Sequence, residues 1–466
     1  GCMMKDKKRR LMTFTFYDRT GIEKDLEKQA TKGWLLEKCA ATGWIYRRIE
    51  PAKIHFAVVY FPAVSMFDPD PTEKQKLFQE FCEHTGWELT ASNIQMQIFC
   101  NRRENPIPIE TEPEIEVENI HRSVKKTLMP TMFVNLILAV MRLGLTYQRF
   151  TMNPLGELAN LNALVSTAFW ILMIFSAGVQ VALYYNWLYR ARAAAQNGSF
   201  LETKSTDKFQ ITMMICSSLA LIFMMSSLGG WRMTVLGIAM ALSIVVVGFL
   251  MAKVTERMKK KKVSAKVNRL VTYAMAVVGS LLICGVVIGL MVGVIMDDRD
   301  TRDRAEPYEY NNWTFYVYHD EIPLQIEDLI ATEYKGYSKE LITDESSPLL
   351  QYMEARQIPR HDALAEPELS YRIAKVKVPW LYDVVLNLLL DDFSHNHGFP
   401  EDDPNWVEHR EIDPAPWDAE QAYQLYLGDE AHERYLLCYE DDIIEIDLDW
   451  TPTDTEKAII ADKLLP

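Results

Sequence analysis

The chain reads as a multidomain membrane protein: a small α+β domain, five apolar helices, then a second α+β domain. Three observations predict this. Apolar residues concentrate between about Leu128 and Met296, while both flanks have the patterning of soluble protein. Five stretches in that region approach the roughly 20 residues a helix needs to cross a hydrocarbon core of about 30 Å. Charge is also divided by segment. Residues 1–127 hold 20 Lys and Arg against 19 Asp and Glu, residues 128–296 hold 15 against 4, and residues 297–466 hold 14 against 41. The overall charge of −15 therefore hides a basic centre and an acidic tail. A division of this kind reports membrane orientation more than a nucleic-acid partner.

Residues 1–104 form the first domain. The basic run Lys5–Arg10 leads into a strand-like Leu11–Tyr17 and not into a long apolar core, so no cleavable signal peptide is expected. Thr20-Gly-Ile-Glu23 has capping-box spacing and opens a helix containing Leu26 and Ala30. The helix stops at Gly33, and Trp34–Cys39, Ile45–Ile49 and Ile54–Phe61 follow as strands. Asp68-Pro-Asp-Pro71 starts a second helix with Leu77, Phe78 and Phe81 on its apolar face. Gly86-Trp87 ends it before Glu88–Ser92 and Ile94–Cys100. The pattern of helix, Gly-Trp and strand occurs twice, which predicts two helices on one small sheet. Its near-zero charge argues against DNA binding. Asn105–Glu118, with three prolines and alternating glutamates, reads as a stiff acidic linker, and residues 105–127 lead into the membrane.

The order of these motifs carries a resemblance. Gly33-Trp-Leu-Leu-Glu-Lys38, Ile45-Tyr-Arg-Arg-Ile-Glu-Pro51 and Gly86-Trp-Glu-Leu89 resemble the bacterial domain-of-unknown-function family DUF2812 over residues 9–105. The resemblance implies a protein of the Firmicutes type in which the domain continues into membrane helices, with PadR-type regulators encoded nearby. The family has no established activity, so it assigns no role to any residue.

The five spans are about 128–147, 163–187, 209–228, 233–251 and 270–296. The first is the weakest, since it starts on Pro130 and contains Arg142, which can snorkel to the headgroups. Basic residues cluster before the first span, after the second and after the fourth, where Lys259, Lys260, Lys261 and Lys262 lie together. The positive-inside rule then places the N-terminus in the cytoplasm and the acidic tail outside the plasma membrane. The four lysines are expected to lie against anionic lipids of the inner leaflet. Gly285, Gly289 and Gly293 share one face of the fifth span and allow a close helix neighbour, either within the chain or in a second copy. Intramembrane Asp and Glu are missing from all five stretches, which argues against an ion-coupled transporter.

Residues 297–466 form the extracytoplasmic domain. Asp297–Asn312 reads as a charged tether, Trp313–His319 and Leu369–Val378 as strands, and Pro323–Ile330 as a short helix. Trp380–Phe393 is amphipathic, burying Leu381, Val384, Val385, Leu388 and Leu389. Tyr435–Tyr439 and Ile443–Leu448 form a hairpin, and Thr453-Asp-Thr-Glu456 caps a last helix. Cys438 is the one cysteine here, so the domain has no internal disulfide, which fits a Gram-positive surface. A thiol label on Cys438 from outside would report the topology. His395, His397 and His409 lie in the acidic segment 391–418 and are the candidate metal ligands, although a solvated acidic loop accounts for them as well. Phosphate loops, GxSxG and HExxH motifs are missing, so no cofactor and no enzymatic activity are expected. The leading expectation is a sensor or regulatory protein coupling the two soluble domains. A transport accessory subunit and an envelope metal-dependent hydrolase are the alternatives.

Overall fold

The structure, a computed structural model, describes residues 6–10, 16–40, 43–109, 112–202, 212–213, 215–216, 230–296, 305–395 and 406–465. Contacts divide the chain into two units. Residues 1–143 and 168–290 make the first, and residues 144–167 and 291–466 the second.

In the first unit, Gly33-Trp34 and Gly86-Trp87 end helices as the sequence predicts. Helix α1 spans Arg19–Thr31 and α2 spans Glu73–His84. Gly33 and Gly86 follow them at φ +80 and +86, the left-handed region that a Cβ disfavours. At the end of α2, Gly86 N–H donates to Glu83 O and Trp87 N–H to Cys82 O, both at 3.0 Å. Trp87 is thereby turned under the helix, where it is buried with Cys82, Phe99 and Val59.

The start of α1 differs from the expected capping box. Asp18 is the N-cap and accepts from Gly21 N–H at 3.1 Å, so Thr20 lies inside the helix. Aspartate caps at least as well as threonine, and Glu23 is left to bond elsewhere.

The single expected sheet is in fact two. Strands β1 (Lys7–Arg10), β2 (Trp34–Ala40) and β3 (Gly43–Arg48) form one, in the order β1-β3-β2. Strands β4 (His55–Tyr60), β5 (Glu88–Asn93) and β6 (Met96–Asn101) form the other, in the order β4-β6-β5. All pairings are antiparallel. The strands after the two helix-ending Gly-Trp pairs, β2 and β5, each pair with their immediate successors, β3 and β6, and these short closures cost less chain entropy than joining both hairpins in one sheet. The basic run itself forms β1, and Leu11–Thr15 lie outside the described residues. The apolar face predicted for α2 is also only partly buried: Leu77 and Phe81 are 66% and 63% exposed, whereas Phe78 packs on Phe61 and Phe99.

The acidic linker is shorter than expected, because α3 (Pro113–Met152) starts inside it. Pro113 is suited to a first helical position, and Glu114 and Glu116 fall in the first turn, where acidic side chains favour the helix dipole. The helix runs 40 residues through Pro130. Short α4 (Pro154–Ala159) joins it to α5 (Leu161–Gln196). Helices α6 (Gly230–Lys260) and α7 (Ala265–Met296) follow.

Among the described residues three helical stretches are long and apolar enough to cross a membrane: Pro113–Met152, Leu161–Gln196 and Ala265–Gly285. The expected count of five is therefore reduced. The third stretch, 209–228, lies almost wholly outside the described residues, and the fourth falls on α6, whose side chains over 230–241 are not described.

The second unit is built on a seven-stranded antiparallel sheet. Its strands are β9 (Ser338–Ser346), β10 (Leu350–Ile358), β11 (Leu369–Val376), β12 (Val407–Ile412), β13 (Gln421–Leu427), β14 (Glu430–Cys438) and β15 (Asp442–Leu448). Their order is β12-β13-β14-β15-β11-β10-β9. The predicted β14–β15 hairpin is present, with Cys438 opposite Ile443. The two faces bury different side chains, as the two-residue period of a strand requires. Leu369, Tyr371, Leu437, Ile444 and Ile446 meet α10 (Asp454–Leu464) and α8 (Ile326–Leu329) on one face. Leu350, Tyr352, Val376, Leu436 and Ile443 meet α9 (Tyr382–Phe393) and α4 on the other.

Three details of this unit differ from expectation. The tether yields a strand, β7 (Ala305–Tyr310), which pairs with β8 (Trp313–Tyr318). Val384 faces outward, 46% exposed, and Phe393 takes the buried place on α9. The acidic segment 391–418 contains the edge strand β12, so His409 sits on a strand and not in a loop.

Candidate functional site

Two constellations stand out, one in each unit. In the first unit the domain core does not end at the sheets. Val117, Ile120, Val124 and Met129 of α3 share one buried cluster with Ile22 and Leu26 of α1 and with Tyr184, Trp187, Leu188 and Ala191 of α5. Tyr17 packs on Trp187 with centroids 4.9 Å apart, and the Tyr184 hydroxyl lies 2.6 Å from His121 Nδ1.

Within this junction Arg19 is held by two carboxylates. Its Nε donates to Glu23 Oε1 at 2.8 Å, and its Nη1 pairs with Glu116. Glu23 Oε1 also accepts from Val58 N–H at 2.9 Å, tying α1 to β4. The Glu116 side chain is 3% exposed and lines a cavity of about 30 Å³ with Tyr17, Thr20 and Phe200. Its second oxygen has no hydrogen-bond partner among the described residues. Burial pushes Glu23 above the usual carboxylate range, against the pull of Arg19.

The hairpin between α6 and α7 is joined to the same domain. Lys38 Nζ donates to Glu256 at 2.7 Å, and Asn268 donates to the Phe67 carbonyl at 3.2 Å. The hydrogen bond from Lys38 holds Glu256 below its usual range. Of the lysines singled out above, Lys259 and Lys260 end α6, Lys260 pairs with Glu256 at 3.3 Å, and Lys261 and Lys262 form the turn. Lys262 adopts φ +54 and closes the helix through its N–H to Lys259 O at 2.9 Å.

Among the described residues a Cβ at Gly285 or Gly289 meets nothing within 4 Å, whereas at Gly279, where α6 and α7 come together, it would lie 2.7 Å from Val247 Cγ1. The surroundings of Gly293 lie outside the described residues.

In the second unit, the part of the sheet face left uncovered by α4 and α9 is charged. Cross-strand register places Arg434, Asp447, Ser370, Arg356 and Glu340 in one row over five strands. Glu445, Arg372 and Glu354 form the next. Glu445 is 4% exposed and receives the Nε of Arg372 at 3.1 Å and that of Arg434 at 2.8 Å. Arg372 continues to Asp392 of α9 at 2.7 Å. All of these residues except Glu340 line an open cavity of about 300 Å³. Alternation of sign from strand to strand lets each charge find an opposite neighbour, which leaves a surface able to receive a ligand bearing both charges. Burial moves the Asp447 carboxyl upward, partly offset by Arg434.

The histidines are only partly assembled. His409 Nδ1 lies 3.1 Å from Ser394 Oγ, one residue before His395. His397 lies outside the described residues, and no group of three metal-ligating side chains forms among those described. Neither constellation was legible beforehand. Glu116 was hidden in the supposed linker, and the arginine rows depend on register. The one available signal was an arginine, Arg356, Arg372 or Arg434, in each of three strand stretches of a strongly acidic domain.

A chain of this construction is a helical, membrane-length protein with a folded α+β domain in each unit. Residues 18–132 match the family described as a protein of unknown function, DUF2812. The match thus runs past the sheets into α3 as far as the turn after Pro130, which agrees with the burial of Val117, Ile120 and Val124 in the domain core. Comparison with curated proteins and with solved structures gave no match.

Proposed function

We propose that the chain is a non-enzymatic, multi-pass membrane protein that transmits a conformational state between a cytoplasmic DUF2812 domain and an extracytoplasmic acidic domain. One observation carries the reading: each domain has built part of the α3–α5 helical pair into its own core. The first buries Val124 of α3 and Leu188 of α5, and the second buries Leu155 and Ala159 of the connecting α4. A rearrangement in either domain therefore acts on the same two helices, which is the physical requirement for coupling. The charged cleft around Glu445 is the receiving surface in this reading.

The proposed sidedness follows the basic residues. The lysine-rich α6–α7 turn belongs to the unit of the first domain, and the α4 connection belongs to that of the second. Lys259–Lys262 then face anionic inner-leaflet lipids.

The test perturbs one end and observes the other. Leu155→Ala loosens α4 in the full chain reconstituted in lipid nanodiscs, and hydrogen exchange is followed residue by residue. Faster exchange in α1, beyond that in α4, is expected. Accelerated exchange confined to residues 144–167 and 291–466 would sink the proposal.

A further inference from the structure

Helix α4 is built into the second domain. Asn153 and Asn160 are the only residues separating α4 from α3 and α5, both long and apolar enough to cross a membrane. Yet α4 is core: Leu155 and Ala159 are 5% and 0% exposed, and Ser347 Oγ donates to Leu158 O at 2.7 Å. The sheet end that carries Ser347, Leu350 and Val376 is therefore held where these helices end.

Register defines the opposite end. Strand β10 runs from Leu350 to Ile358, and β11 returns from Leu369 to Val376. The connection that contains Leu364 thus lies about 25 Å from α4, at roughly 3.3 Å per residue.

At the near end, immediately after β11, the chain exposes an aromatic side chain. Trp380 is 70% exposed, although Leu381 beside it is buried in the same cluster as Leu155 and Ala159. Val384, four residues on, is 46% exposed. At the α3 end Tyr147 and Met152 are exposed as well. A bare tryptophan is out of place on the surface of a domain carrying a large excess of carboxylates, but its ring suits the headgroup zone of a bilayer.

Building on the membrane-spanning reading above, we propose that the second domain lies on the lipid surface, with α4 as the pin and Trp380 and Val384 inserted among the headgroups. The partner is a zwitterionic bilayer face, because the acidic excess of residues 297–466 repels a strongly anionic one.

The test uses the full chain with Cys2, Cys39, Cys216 and Cys284 changed to Ser, reconstituted in phosphatidylcholine vesicles with or without doxyl-labelled lipid. Single cysteines introduced as Trp380→Cys, Leu364→Cys and Leu138→Cys carry an environment-sensitive fluorophore. Strong quenching at 138 and 380, with several-fold less at 364, is the expected result. Quenching at 138 but not at 380 overturns the surface contact alone. No quenching at 138 overturns the spanning of α3 itself. Equal quenching at 364 and 380 overturns the orientation, and self-quenching at 380 that is insensitive to doxyl lipid assigns the patch to a second copy instead.

Discussion

Arg19 shows how much a single buried charge organises. Its guanidinium, 15% exposed, answers carboxylates from two elements, and Glu23 in turn holds the β4 backbone. Arg19→Ala would leave Glu116 buried without its partner, and a loss of about 3 kcal/mol in the unfolding of the first unit is expected. The pH dependence has a definite sign. Because the folded state raises Glu23 above its ordinary 4.5, the contribution of this group to stability is full below 4.5 and is lost as pH rises through the raised value. Glu23→Gln keeps an acceptor for Val58 and removes the titration. The melting temperature of the native protein should therefore fall relative to that of Glu23→Gln as pH increases from 4.5. A constant difference would contradict the assignment. Cys438 illustrates the opposite case. It is 2% exposed and burial pushes its thiol up to about 11, so it resists maleimide in the folded protein. The topology label proposed from sequence must move to an exposed position.

At the level of elements, the helix ends and the α4 plug do most to define the two units. Gly86 sits at φ +86, and a Cβ there would meet Arg103 Nε at 2.8 Å. Gly86→Ala should cost about 1–2 kcal/mol in thermal unfolding, from the left-handed backbone together with the displaced Arg103. Leu155→Ala, on a helix of six residues, removes a buried side chain from the second unit and should cost about 2–3 kcal/mol. In the sheet, Glu445→Ala leaves the guanidinium groups of Arg372 and Arg434 without their shared carboxylate on the two strands that flank β15, and a loss of about 3 kcal/mol is expected in the same measurement. The elements also show what periodicity could not decide. Leu77 and Phe81 have helical spacing for one face, but the sheet below α2 meets the face of Phe78 and Cys82. Similarly, Asp18 and Thr20 are both good caps, and only the surrounding contacts choose between them.

For the whole molecule, composition set the broad plan. The central apolar region, the basic connections, the Gly-Trp helix ends, the β14–β15 hairpin and the capping box at Thr453 are local patterns, each readable because neighbouring residues alone create it. The DUF2812 resemblance was equally local, resting on three short motifs, and the family match bears it out over residues 18–132. What the sequence could not decide was which distant segments share a core. The split into two three-stranded sheets, the absorption of α3 and α5 into the first domain and of α4 into the second, and the rows around Glu445 all bring together residues far apart in the chain. Register and packing fix such neighbours by complementary burial across elements, and that information exists only once the elements have met.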